Sequence, residues 1–234
     1  MGSSPGGRCA DADWQWLGRI PFAEAVLRNA EAAAAVRAGA RGRILAFEPA
    51  APVFTLGRRA ATEQGRAALA PTLAACTARG VACLAVDRGG LGTLHLPGQA
   101  VLFLALPCQR EQLRDLVREL LQAAAAVAAV WGVAARVDDA VDVGLWSDAG
   151  KLASIGLAHS AGVVSHGLAL NVAIDAGQGA GLTLCGRGDA CLASLAALAT
   201  CANAATPHAA VLAFAKALAL PTTAPRGPSG LLFD

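Results

Sequence analysis

The pattern of apolar and polar positions predicts strands that cluster, with helices interspersed between them. The most regular apolar stripe recurs at helical spacing and predicts an amphipathic helix over 110–130, closed by Gly132. Its members are Leu113, Leu116, Val117, Leu120 and Leu121. Three further helices are predicted over 21–38, 62–79 and 207–218, the first and last with a proline near the first turn.

Short apolar runs between these helices predict strands. They lie at 43–48, 53–56, 81–86, 99–106, 141–146, 151–157 and 162–172. A turn at 147–150 joins two of them into a hairpin. Together these elements predict an α+β fold with a mixed sheet flanked by helices. We expect a single domain over 1–220, with a loose terminus over 1–12 and a flexible tail over 221–234.

Composition narrows the class of protein. The 234 residues are 55% hydrophobic and 15% charged, which is typical of a globular protein. A net charge of +2 without a basic stripe argues against nucleic-acid binding. Polar residues interrupt the long apolar stretches, so no membrane-spanning helix is expected. No secretory signal is visible, and we therefore expect a cytoplasmic protein.

Cysteine and lysine are the residue types that carry candidate chemistry. The seven cysteines form no CxxC pair, and we expect most of them to be reduced and buried. The nineteen Lys and Arg residues include only two lysines, and Lys151 stands in an apolar run where a solvated charge is not normally placed. A lysine retained in such an arginine-rich chain indicates either proton chemistry or a strand-edge side chain with a solvated head.

Four segments combine glycine or proline with a polar residue that a packed core does not need. They are PVFTLG at 52–57, DRGGLGTLHLPGQ at 87–99, GKLASIG at 150–156 with SHGLALNV at 165–172, and LCG at 184–186. Glycines let a backbone approach a ligand closely, so the second segment suits an acyl or carbonyl group. It is neither a P-loop nor a dinucleotide-binding pattern.

In this order the segments resemble the octanoyltransferases of lipoate biosynthesis, which belong to the biotin/lipoate protein ligase superfamily. The resemblance runs from about Pro52 to Ser194. It implies a biotin/lipoate protein ligase-like fold and transfer of an octanoyl group from acyl carrier protein, through a cysteine thioester, to a lysine of a lipoyl domain. The implied acceptors are lipoyl domains of 2-oxoacid dehydrogenase complexes or the glycine cleavage H protein. No cofactor and no metal is implied.

The same resemblance assigns roles to particular residues. Cys185 would be the acyl-thioester nucleophile, and Lys151 would be the partner that favours its thiolate and moves protons. The implied substrate contacts are Arg88, Gly89, Gly90, Leu91, Gly92, Thr93, Leu94, His95, Ser154, Ile155, Gly156, His166, Gly167, Leu168 and Ala169. Without the resemblance, Cys185 is interpreted as inert packing, both histidines as structural, and Arg88 as an ion-pair partner of Asp87.

Two positions depart from the family pattern. Leu96 stands where the family has glycine in HGPGQ, and Leu184 replaces the proline of PCG. Because glycine permits close approach and unusual backbone angles, Leu96 suggests a reshaped acyl pocket. Two alternatives stay open: an ATP-dependent lipoate or biotin protein ligase, and a degenerate member that binds an acyl carrier or another partner without catalysis.

Overall fold

A seven-stranded mixed sheet forms the centre of the computed structural model, which describes residues 9–140, 143–180, 182, 191–201 and 204–221. In spatial order the strands are β1 (Asp13–Ile20), β2 (Arg43–Pro49), β6 (Gln99–Pro107), β10 (Val163–Asn171), β9 (Gly150–Ser160), β8 (Gly144–Ser147) and β7 (Arg136–Asp138). Strand β1 runs parallel to β2, and the other neighbours are antiparallel. The predicted mixed sheet is therefore confirmed.

A second, smaller sheet was not predicted. In it β3 (Val53–Leu56) lies between β4 (Ala82–Ala85), to which it is parallel, and β5 (Gly92–His95), to which it is antiparallel. The glycine-rich segment conceals β5 in the sequence, because glycine is depleted in strands. Gly92 is required here for space, since a Cβ at this position would lie 2.4 Å from the Phe54 ring.

Helices cover both faces of the main sheet. They are α1 (Phe22–Arg37), α2 (Glu63–Ala78), α3 (Leu113–Val130), the short α4 (Leu195–Leu198) and α5 (Pro207–Ala217). Helix α1 packs on one face of the sheet, against β2, β6 and β10, while α3 and α5 share an apolar core on the other face. Helix α2 covers the small sheet through Leu69 and Cys76. No helix in the described part of the chain is both long and apolar enough to cross a membrane.

The predicted helices agree with α1, α2, α3 and α5 to within a few residues. The first three residues of the predicted helix 110–130 form a 3₁₀ turn, whose capping box joins Gln109 and Gln112. The hairpin at 147–150 is tighter than predicted, because β8 continues to Ser147 and β9 begins at Gly150. Residues 141 and 142 of the predicted strand 141–146 lie outside the described residues.

The sequence did not predict β1, an edge strand with one neighbour. Its register with β2 shifts between Trp16 and Arg19, where Gly18 adopts a φ of +76° and interrupts the alternation of apolar positions. Just before β1, Cys9 and Ala12 are buried against the main core, in the segment expected to be loose. The predicted tail beyond Pro221 lies outside the described residues.

The cysteines differ in their surroundings more than expected. Of the six in the described ranges, Cys9, Cys76 and Cys108 are buried, whereas Cys83, Cys191 and Cys201 are exposed, and no disulfide joins any two of them. Burial was therefore expected wrongly for three of these six cysteines. These three lie in short edge strands or connections rather than on core faces.

Candidate active site

A narrow cleft lies where the small sheet and the first turn of α1 meet the face of the main sheet. It is lined from β5, β6, β9, β10, α1 and the segment after β4. The lining residues are Phe22, Val86, Arg88, Thr93, His95, Val101, Phe103, Ser154, Ile155, Gly156, His166, Gly167, Leu168 and Ala169. Most of these side chains are apolar, which suits a hydrocarbon chain.

A wider groove adjoins the cleft and contains Lys151. Its other lining residues are Arg59, Arg88, Gly89, Gly90, Leu91, Gly92, Thr93, Val117, Val143, Ser154, Ile155, Gly156 and Leu157. Five residues line both spaces, namely Arg88, Thr93, Ser154, Ile155 and Gly156. The cleft and the groove therefore share one wall and adjoin each other.

The structure brings together the predicted site residues of its described part, with one exception. Leu94 lines neither space, because its side chain is buried in the apolar core of the small sheet and pairs in register with Phe54. Cys185, like Leu184 and Gly186, lies outside the described residues.

Arg88 is turned into the protein. Its guanidinium donates to the carbonyl and the hydroxyl of Thr55, at 3.0 and 2.7 Å, and to the Gly89 carbonyl at 2.8 Å. Asp87 instead pairs with Arg58 at 3.6 Å, and both of these side chains are largely exposed. A Cβ on Gly156 would lie 2.9 Å from Arg88 Cδ, so glycine at this point of β9 lets the arginine reach the cleft.

His95 begins a chain of buried polar groups. Its Nδ1 lies 3.1 Å from the Gln99 Oε1, Gln99 Nε2 donates to Asn171 Oδ1 at 2.9 Å, and Asn171 Nδ2 donates to the Lys151 carbonyl at 2.9 Å. Burial, helped by the Arg88 charge, lowers the pKa of His95 to about 3. The imidazole is therefore neutral at physiological pH, and the chain ties the floor of the cleft to the strand that carries Lys151.

His166 adopts a left-handed backbone conformation within β10, with φ of +59°. Asn29 of α1 supports this conformation, because its Oδ1 accepts the His166 N–H at 2.9 Å and its Nδ2 donates to the Leu104 carbonyl at 2.7 Å. His166 and Leu104 are register partners, so the Asn29 amide bridges the two strands at that pair. Burial, with the Arg88 charge, lowers the pKa of His166 to about 4, which keeps this imidazole neutral as well.

Lys151 is 97% buried at the start of β9. Its Nζ donates to the Val143 carbonyl at 3.1 Å and lies 4.9 Å from the centroid of the Trp146 ring, within reach of a cation–π interaction. A Cβ on Gly144 would lie 2.6 Å from Lys151 Cε, so the glycine makes room for the lysine. The solvated strand-edge interpretation of Lys151 is therefore wrong.

The chain returns to Lys151 after the segment that carries Cys185. The Lys151 N–H donates to the Cys191 carbonyl, and the Lys151 carbonyl accepts the Ala193 N–H, both at 2.9 Å. Leu192 thus forms a parallel bridge with Lys151, and Cys191 stands six residues after Cys185 in the sequence.

Leu96 does not reshape the cleft, contrary to the expectation from its sequence position. Its side chain is 99% buried in the apolar core of the small sheet and lines neither the cleft nor the groove. The close approach in this segment occurs at Gly98, which adopts a φ of +88° and where a Cβ would lie 2.3 Å from the Ala173 carbonyl oxygen.

Sequence reasoning missed several residues of the site. Four of them line the cleft, namely Phe22, Val86, Val101 and Phe103. The fifth, Asn29, holds the backbone of His166, which also lines the cleft. The sequence contained one signal for two of these residues. Phe22 and Asn29 are seven positions apart in α1 and therefore lie on the same face of the helix. Among the described residues, no three His, Cys, Asp or Glu side chains come together as metal ligands.

Comparison with known proteins identifies the family. Residues 23–199 match the lipoyl protein ligase A/B catalytic domain. An octanoyltransferase of Geobacter metallireducens is 37% identical over 159 residues, which are 67% of this chain and 68% of that protein. This chain belongs to the octanoyltransferase family. The human mitochondrial octanoyl-acyl-carrier-protein:protein N-octanoyltransferase is 33% identical over 171 residues, which are 68% of this chain and 71% of that protein.

The fold agrees with the same family. A chain from the lipoylation system of Thermoplasma acidophilum, a bipartite lipoate protein ligase with its lipoyl domain, superposes with a TM-score of 0.67. It is 12% identical in sequence, and the match covers 91% of this chain and 85% of that one. The predicted fold class is confirmed, and the protein is an acyltransferase that moves octanoyl groups in protein lipoylation.

Proposed function

We propose that the protein takes an octanoyl group from acyl carrier protein, holds it as a thioester on Cys185, and passes it to a lysine of a lipoyl domain. The observation that carries this proposal is the buried Lys151 amine, which lies in the groove that adjoins the apolar cleft. Such a site suits an acyl chain whose carbonyl end stays beside the amine.

In the first step, the Cys185 thiolate attacks the carbonyl carbon of the donor thioester. A bond forms between this carbon and Cys185 Sγ, the bond to the donor sulfur breaks, and the departing thiolate takes a proton from the Lys151 ammonium. A thiol with a reference pKa of about 8.5 is mostly protonated at neutral pH, so a nearby ammonium is needed to favour the nucleophilic thiolate.

In the second step, the amine of the acceptor lysine attacks the acyl-cysteine carbonyl. An amide bond forms, the bond to Cys185 Sγ breaks, and the neutral Lys151 amine takes the proton that the acceptor nitrogen loses. Lys151 is then an ammonium again beside a thiolate, which is the state that begins the cycle.

The cleft positions the acyl chain in this proposal. Because their pKa values are lowered to about 3 and about 4, His95 and His166 are weak bases, and the Arg88 guanidinium is bonded internally, so these walls of the cleft place no strong base beside the thioester. The proposed acceptors are the lipoyl domains of 2-oxoacid dehydrogenase complexes or the glycine cleavage H protein. The name of the human relative, an octanoyl-acyl-carrier-protein:protein N-octanoyltransferase, supports acyl carrier protein as the donor.

A reconstituted transfer reaction tests the function. Octanoyl-acyl carrier protein and an unmodified lipoyl domain are incubated with the enzyme, without ATP, and the acceptor mass is followed. We expect octanoylation by the wild type and none by Cys185→Ser. Octanoylation that needs ATP and free octanoate, and that survives Cys185→Ser, would establish the ligase alternative instead. Tight carrier binding without any acyl transfer would indicate the non-catalytic alternative.

A further inference from the structure

Phe22 lies at the inner end of the cleft. It is the first residue of α1 and is 94% buried. Its ring centroid lies 4.3 Å from that of His95 and 5.6 Å from those of Phe47 and Phe103. The ring therefore closes the space between the small sheet and β6 of the main sheet.

The lining residues show the direction of the cleft. Lys151 lies on β9 and lines only the groove, whereas Ser154–Gly156, farther along β9, line both spaces. The deeper lining comes next from β10 and then from Val101 and Phe103 of β6. The cleft thus crosses the sheet from β9 to β6, and Phe22 stands at the β6 end.

The length of this path matches the acyl chain. Two strand spacings separate β9 from β6, and this amounts to about 10 Å, close to the reach of an extended octanoyl chain. A chain whose carbonyl lies where the groove meets the cleft, at Ser154–Gly156, would therefore reach the Phe22 ring with its terminal methyl group.

We propose that Phe22 is the closed end of the acyl cleft and sets the longest chain that the enzyme accepts. The proposal rests on the proposed octanoyl-transfer function, and it assigns specificity to a residue outside the four motifs. Each methylene that gains a buried place favours the longer chain by about fourfold, so space for two methylenes favours it by more than tenfold.

The test is a competition between acyl carrier proteins loaded with hexanoyl, octanoyl, decanoyl and dodecanoyl chains. Adducts on the enzyme are separated by intact mass. Phe22→Leu frees the volume of about one methylene, and we expect the ratio of decanoyl to octanoyl loading to rise about fourfold. Phe22→Trp extends into the cleft, and we expect the preference to move toward hexanoyl. A purely structural role would instead lower loading by every chain in the same proportion.

Phe47→Leu provides the matched control. Phe47 belongs to the same aromatic cluster and is completely buried, but it does not line the cleft. The same loss of volume at this position is expected to lower stability and leave the chain-length ratio unchanged. An unchanged ratio in Phe22→Leu, or the same change in Phe47→Leu, would overturn the proposal while octanoyl loading persists.

Binding of free octanoate and decanoate, measured by calorimetry, separates the two proposals. If the wild type forms no adduct with any chain, the transferase proposal fails, and the binding ratio still tests Phe22. A decanoate-to-octanoate affinity ratio that rises about fourfold in Phe22→Leu supports Phe22 as the end of the cleft. Equal ratios in the wild type and Phe22→Leu would overturn it.

Discussion

The two ends of the site are built in different ways. At the inner end of the cleft, both imidazoles are neutral, the Phe22 ring packs against His95, and the Asn29 amide fixes the backbone of His166. At the outer end, the Lys151 amine is held by the Val143 carbonyl and the Trp146 ring. The inner end suits recognition of an apolar chain, and the outer end suits proton transfer.

The difference indicates that recognition and chemistry can be altered separately. The inner end depends on contacts among α1, the small sheet and the central strands. The outer end depends on a hairpin and on residues 191–193, which return to Lys151 late in the chain. The buried chain from His95 through Gln99 and Asn171 to the Lys151 carbonyl joins the two ends.

The largest expected effect comes from removing the amine at the outer end. Lys151→Met is expected to lower octanoyl transfer about 1000-fold, because a positioned acid–base group contributes factors of this size. The variant should remain folded, since replacing a buried charge with an apolar group of similar volume is often neutral or stabilising. Binding of octanoate should persist, because Lys151 does not line the cleft.

Lys216→Met is the matched control for this variant, because Lys216 is the other lysine and lies exposed on α5. It should transfer octanoyl groups at the wild-type rate. A loss of less than tenfold in Lys151→Met would contradict the role of the amine in proton transfer.

Acid should weaken the inner end through its two histidines. The pKa of His95 is lowered from 6.5 to about 3, and that of His166 from 6.5 to about 4. As pH falls, these imidazoles are therefore protonated in the unfolded chain before they are protonated in the folded one. The stability they contribute is complete above pH 6.5 and is lost as pH falls toward about 4 for His166 and about 3 for His95. The slope is roughly 1.4 kcal/mol per pH unit for each histidine.

Urea unfolding between pH 7 and pH 4.5 measures this loss. The double variant His95→Gln, His166→Asn should show a much flatter pH dependence, and asparagine suits the left-handed backbone at position 166. If the double variant and the wild type lose stability with the same slope, the histidines are not the groups responsible.

Asn29→Ala should loosen the inner end without touching Lys151. It leaves the His166 N–H and the Leu104 carbonyl without their amide partner, at a cost of about 3 kcal/mol in the free energy of unfolding. Octanoyl loading should fall about tenfold, because His166 loses its fixed place in the cleft. Arg28→Ala is the control, since Arg28 is the neighbouring exposed residue and should cost no more than about 0.5 kcal/mol.

The smallest effect is expected for Cys191→Ser. Cys191 is exposed and its main-chain carbonyl bonds to Lys151, which serine preserves. The octanoyl loading rate, followed by intact mass, should stay within about twofold of the wild type, because serine keeps the main-chain contact with Lys151. Loss of the adduct would make Cys191 the nucleophile and overturn the assignment to Cys185.

The sequence predicted those elements that are encoded by the spacing of apolar and polar residues within the element itself. The apolar stripe of α3 and the hairpin of β8 and β9 are of this kind, and the motifs at 87–99, 150–156 and 165–172 supply most of the residues that line the cleft and the groove, including Lys151. What could not be predicted depends on contacts between distant segments. Phe22 and Asn29 reach the cleft only because α1 lies across β6 and β10. Leu96 leaves the shape of the cleft unchanged because its side chain packs into the core of the small sheet.

Incubation of the purified enzyme with octanoyl-acyl carrier protein, followed by peptide mass analysis, tests the central claim most directly. The proposed function predicts an octanoyl adduct on the peptide that contains Cys185, formed without ATP and absent in Cys185→Ser. An adduct on any other peptide, or acyl transfer by an enzyme that never carries an adduct, would contradict it.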